Sequence, residues 1–198
     1  MAKIEPETEI DLRNAAREAW EVAVRADPSP TVRYFQQLLL DNPGSAFVSY
    51  QCARAHDYAG EPQLAAPLYE QAFAAGLSGT ELRRGLTSYG STLRNLERFD
   101  EAIAALERAH RLFPDDALVI CYLALALHSG GQSARALAYL LDLTMAHVTQ
   151  PDLEAGRWAL GNYTAALIGG EWSPNGVATL ELTGPLLETK SADRTASV

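Results

Sequence analysis

The side chains with which this chain could make or break bonds are few and scattered. Its histidines are His56, His110, His128 and His147. None belongs to an HExxH, and none pairs as HxxxH with a carboxylate at ligand spacing, so a metal would find no donor set. His56 falls at a helix position suited to packing. His110 stands late in a helix, where a cation would be favoured by the helix C-terminus. Cys52 and Cys121 lack a CxxC spacing and lie inside apolar helical patterns, which reads as two buried free thiols. Glu97, Asp100, Glu101 and Glu107 cluster in sequence, but the first three open a helix, where negative charge meets the favourable end of the dipole. Gly130-Gly131 fits no GxxxxGK loop, and GxSxG is absent. We read no catalytic set, no cofactor and no metal site.

The remaining chemistry is recognition, and composition narrows it. The chain has 198 residues, 47% hydrophobic and 21% charged, with a formal net charge of −9. That balance argues against nucleic acid, whose binding needs a basic stripe to displace counterions. No apolar run approaches about 18 residues, so no membrane helix is expected. The start Met1-Ala2-Lys3-Ile4-Glu5-Pro6 lacks the apolar core of a signal peptide, and cytoplasmic residence is the expectation.

The elements that must position any binding residues are helices. In LTSYGSTLRNLERFDEAIAALERAHRLFP, Leu86, Tyr89, Gly90 and Leu93 lie on one stripe. Phe99, Ala102, Leu106 and Ala109 lie on a second, and Pro114 ends it. Spacings of three and four draw an apolar face on each helix, and the small residues let two backbones approach. Forward by the same period come Ile120, Leu123-Ala124, Leu127, Ala136 and Leu140, with the turn at Gly130-Gly131. Backward come Ser49, Cys52-Ala53, His56, Ala65, Tyr69 and Ala72, with the turn at Ala59-Gly60. The backward copy slips by three residues near Leu77-Thr80, where Ser78 and Glu81 suit a capping box.

This recurrence resembles the tetratricopeptide repeat, a helix-turn-helix unit of about 34 residues. Leu86, Tyr89-Gly90, Leu93, Ala102, Leu106, Ala109 and Pro114 fill the family's positions in order. The resemblance implies an all-α, right-handed α-solenoid of antiparallel helix pairs. Its expected parts are a degenerate N-terminal pair over 8–45, repeats over 46–79, 83–116 and 117–150, a capping helix over 151–169 and a flexible tail over 170–198. Within the degenerate pair, helices are expected over Ile10–Ala26 and Thr31–Leu40, with Ser29-Pro30 opening the second. The capping helix carries Leu153, Trp158, Leu160, Tyr163 and Leu167.

In such arrays the first helices line a concave groove that holds a peptide or protein segment. Residues off the packing stripes should face it. These are Tyr50, Arg54, Asp57 and Tyr58 on the first repeat and Arg84, Thr87, Ser91, Arg94 and Asn95 on the second. On the third they are Cys121, Leu125 and His128, with Tyr122 nearby. Arg54, Arg84 and Arg94 could grip carboxylates through paired hydrogen bonds, so an acidic or C-terminal segment is the expected partner. The lysine and asparagine pattern of the family's chaperone-tail clamps is not matched. Rival readings are self-association through the solenoid ends, as in a homodimer, and an unrecognised enzyme or small-molecule sensor.

Overall fold

A computed structural model describes residues 6–169 of the chain. They form α1 (Pro6–Glu21), α2 (Ser29–Asp41), α3 (Ala46–Ala59), α4 (Pro62–Ala74), α5 (Gly79–Asn95), α6 (Phe99–Leu112), α7 (Ala117–Ser129), α8 (Ser133–His147) and α9 (Pro151–Leu167). Each helix packs on the next, and α5 also packs on α7, as stacked hairpins require. The expected tail over 170–198 lies outside the described residues.

The pairing follows from size complementarity. On α6, Ala102, Ile103, Leu106 and Ala109 are buried, one apolar residue every three or four positions. Leu106 lies against Gly90 of α5 so closely that a Cβ at Gly90 would stand 2.4 Å from its Cγ. Apolar clusters run through the stack: Phe35, Val48 and Cys52 among α1–α3, Tyr69 and Ala72 among α3–α5, and Leu93, Leu123 and Tyr139 among α5–α8. Tyr69 joins units, its ring 6.3 Å from Tyr50 and 6.0 Å from Tyr89.

Local chemistry sets the helix ends. Ser45 caps α3 by accepting from the Val48 N–H, and Asp116 caps α7 by accepting from the Val119 N–H at 3.0 Å. Gly60 closes α3 in the left-handed region at φ 77°, where a side chain would be strained.

Several boundaries differ from the sequence expectation. α1 stops at Glu21 rather than Ala26, because Val22 and Val24 find no apolar partner and stay exposed. α2 opens at Ser29 with Pro30 in its first turn, as expected, two residues ahead of the Thr31 start, and the Ser29 N–H donates to Asp27 Oδ1 at 3.2 Å. The Ser78–Glu81 capping box does not form: Ser78 precedes α5 without a side-chain bond, and Glu81 pairs instead with Arg13 of α1. Glu97 sits outside α6 in the preceding turn at φ 59°. α9 packs on α8 and buries Gly161, Thr164 and Ala165. Of the large residues assigned to its apolar face, Trp158 and Tyr163 are 72% and 70% exposed, while Leu153 and Leu160 are half-buried.

Candidate functional site

Helices α5 and α7 each turn one stripe into the core and leave part of the opposite face accessible, whereas no residue of α3 is exposed. On α5 the free stripe runs through Arg84, Ser91, Arg94 and Asn95; on α7 it runs through Leu118, Cys121, Leu125 and His128. The two stripes are neighbours, because Arg94 Nε donates to Ser129 Oγ at 3.1 Å from one helix to the next. On α3, Arg54 and Tyr58 are half-buried against Trp20 of α1.

The three arginines are held differently. Arg54 donates to Gln51 Oε1 at 2.8 Å and lies 4.4 Å from the Trp20 ring centroid, stacked between Trp20 and Tyr50. Gln51 is itself fixed by the Trp20 indole N–H at 2.9 Å. Arg94 bonds Ser129 and Asn95. Arg84 is exposed and bonds no side chain among the described residues. No carboxylate among the described residues pairs with any of the three, nor with Arg17, Arg25, Arg33, Arg108 or Arg111, whereas Arg13, Arg83, Arg98, Arg135 and Arg157 have acidic partners. Burial pushes the pKa of the Tyr50 phenol up, with Arg54 and Arg84 among the charges that pull against it.

Other residues expected on this face are turned elsewhere. Tyr50 is 2% exposed and packs into the core beside Tyr69. Thr87 is buried and donates to the Arg83 carbonyl at 2.8 Å. Asp57 is half-buried and accepts from Tyr69 Oη at 2.7 Å and Thr92 Oγ1 at 2.8 Å, so its carboxylate ties α3 to α4 and α5. Desolvation raises its pKa despite those two donors. Tyr122 packs partly against the α5–α8 core. Tyr58 and His128 are not turned inward in this way: Tyr58 is half-buried and meets the Trp20 ring edge-on, and His128 is exposed and bonds Ser133 Oγ at 3.0 Å.

Sequence reasoning missed what α1 adds. Arg13 lies 4.6 Å above the Phe47 ring and pairs with Glu81 of α5, while Trp20 covers Arg54 and Tyr58. A lone large aromatic at the end of an otherwise small-residue helix was the available hint. Leu118, 57% exposed at the head of the α7 stripe, was also missed.

Among the described residues, no three His, Cys, Asp or Glu side chains gather as a metal site would need. His56 is buried, with Nε2 against the Gln36 amide at 3.3 Å and Nδ1 against the Glu61 carboxylate at 2.7 Å. His110 departs from the helix-end cation expected of it: burial, assisted by Arg111, lowers its pKa. Cys52 and Cys121 are free thiols; Cys52 is buried and Cys121 only partly so. No helix among the described residues is long and apolar enough to cross a membrane.

A sequence model of the tetratricopeptide repeat matches residues 46–167, from the start of α3 to the end of α9. The chain belongs to the tetratricopeptide-repeat family. Solved structures agree on the fold. PilF of Pseudomonas aeruginosa superposes with a TM-score of 0.58 at 22% identity, over 79% of this chain and 67% of that one. MamA 41-end from Desulfovibrio magneticus RS-1 gives 0.56 at 15% identity, over 83% and 85%. A MamA RS-1 double mutant gives 0.57 at 15% identity over the same shares. A search of curated proteins by sequence gave no match. The matched span includes α3, α5 and α7, the first two of which carry Arg54, Arg84 and Arg94.

Proposed function

We propose that this chain is a cytoplasmic, non-catalytic adaptor that holds an acidic segment of a partner protein in the groove formed by α3, α5 and α7. Membership of a protein-interaction repeat family supports the general role. The observation that carries the finer reading is the state of Arg54, Arg84 and Arg94. In a chain with a net charge of −9, carboxylates are plentiful, yet none among the described residues pairs with these three cations. Arginine presents a planar fork of donors, suited to carboxylates arriving from outside.

The test uses Arg84→Glu with Arg94→Glu, since Arg54 is stacked in place and its loss would disturb packing. Affinity purification from the native cell followed by titration of the recovered partner should show at least a tenfold loss of affinity, about 1.4 kcal/mol. Helical circular dichroism should be unchanged. Equal recovery by both proteins removes the groove assignment.

A second reading, self-association through the ends, has its own support. α9 exposes Trp158 and Tyr163, and a groove of about 420 Å³ lies between α1 and α2, lined by Ala15, Glu18, Ala19, Val22, Pro30, Thr31 and Tyr34. Light scattering over a concentration series separates the readings: growth in mass that Trp158→Glu abolishes favours assembly, and a constant monomer mass removes it.

A further inference from the structure

The face formed by α3, α5 and α7 changes character from one helix to the next. Its α3 and α5 side carries Arg54, Arg84 and Arg94, without carboxylate partners among the described residues. Its α7 side carries Leu118 and Leu125, 57% and 47% exposed, with no arginine or lysine on that helix. Arg94 touches Ser129 of α7, so cation and leucine surfaces are adjoining parts of one face. Two exposed leucines at positions i and i+7 of one helix stripe are an anchor surface for apolar side chains.

We infer that the partner segment is bipartite, an extended stretch in which a carboxylate stands about three residues from an apolar anchor. The spacing follows from geometry. Packed helices lie about 8–10 Å apart, and an extended chain advances about 3.3 Å per residue, so crossing from α5 to α7 takes about three residues. A carboxylate engaging Arg84 or Arg94 therefore brings the third residue onward over Leu118 and Leu125. A second carboxylate three residues further back reaches Arg54. The inference rests on the groove reading proposed above and adds the composition and register of what occupies it.

The test measures fluorescence anisotropy of the full chain with a labelled peptide, Ser-Glu-Ser-Ser-Glu-Ser-Ser-Leu-Ser. Three controls accompany it: glutamates changed to glutamine, leucine changed to serine, and the same composition with both glutamates next to the leucine. The peptide should bind, and each control should bind at least about tenfold more weakly, the scale of one lost ionic or apolar contact. Arg84→Glu with Arg94→Glu should abolish the advantage over the glutamine control. Leu125→Glu should abolish the advantage over the serine control. Equal binding of the reordered control overturns the spacing while the groove reading stands. Binding that responds to neither variant overturns both. Failure of every peptide to bind at millimolar concentration overturns the bipartite segment and leaves the groove to be judged by the native partner.

Discussion

Asp57 takes a carboxylate into a place that its sequence position does not announce. Because it is off the α3 packing stripe, periodicity assigns it to the groove; the structure gives it to Tyr69 and Thr92, 12 and 35 residues away. Pairings at that separation are set by how helices stack, and a single sequence does not display them. Burial raises the Asp57 pKa, so the folded chain holds this proton more tightly than the unfolded chain. The resulting stability is complete below the unfolded value and is lost as pH rises through the folded one. Asp57→Asn removes the buried charge and keeps an acceptor for Tyr69. Its stability relative to wild type should therefore rise as pH climbs above the ordinary aspartate range, read by urea denaturation at several pH values. Asp57→Ala should cost about 1–3 kcal/mol at pH 7, because the buried Tyr69 hydroxyl loses its acceptor. Thr92 still has the Ser88 carbonyl at 2.9 Å. A variant series with no pH trend would remove the desolvation argument. The thiols offer a second residue-level test. Burial pushes the Cys52 pKa up to about 11, while Cys121 is partly exposed. A thiol reagent at about pH 8 should titrate Cys121 alone until the protein unfolds. Two fast equivalents in the native state would contradict the packing around Cys52.

At the scale of the helix, the sequence was most informative where residue size mattered. The small-large alternation of Tyr89-Gly90, Ala102, Leu106 and Ala109 names the α5–α6 contact in advance, and Gly90 does abut Leu106. Helix ends were less legible. The Ser78–Glu81 motif has the right spacing for a capping box, but Arg13 from α1 competes for the same carboxylate and prevails. α4 carries Pro67 inside its span, a residue that local rules treat as a breaker, yet the helix continues to Ala74. Burial of Tyr69 and Ala72 beyond the proline is the tertiary gain that sustains it. Gly90→Ala tests the packing directly. Alanine improves helix propensity by about 1 kcal/mol, while the clash with the fully buried Leu106 costs about 1–3 kcal/mol, so the net change should be destabilising. Leu106→Ala removes the Cγ and Cδ atoms that the new methyl meets. In that background Gly90→Ala should become neutral or stabilising, a coupling that a double-mutant cycle reads from denaturation midpoints. Additive effects would mean that α5 and α6 relax apart freely.

Across the array, stability should fall from the middle outward. A repeat stack gains from its neighbours, so a helix flanked on both sides is held by two interfaces and a terminal helix by one. The described burial follows that rule. α3 buries Phe47, Val48, Ser49, Tyr50, Gln51, Cys52, Ala53, Ala55 and His56. α9 buries only Gly161, Thr164 and Ala165, none of them large and apolar, and leaves the Thr164 hydroxyl without a partner among the described residues. α1 is different from α9 despite also being terminal. Its Trp20 is bonded to Gln51 and stacked near Phe35, and its Arg13 reaches α5. Amide hydrogen exchange should therefore show the slowest opening in α3 through α7, faster opening in α1, and the fastest in α9. Trp20→Ala should accelerate exchange in α1 and at the C-terminal end of α3 while leaving α7 unchanged, since the indole meets Phe35 of α2 and Gln51, Arg54 and Tyr58 of α3. The same substitution frees the stacked Arg54 guanidinium, so it should also weaken binding of an acidic segment without altering the far side of the face. If α9 proves as protected as α5, an additional surface must cover Trp158 and Tyr163 in solution, and the end-to-end assembly reading gains the support that the groove reading loses.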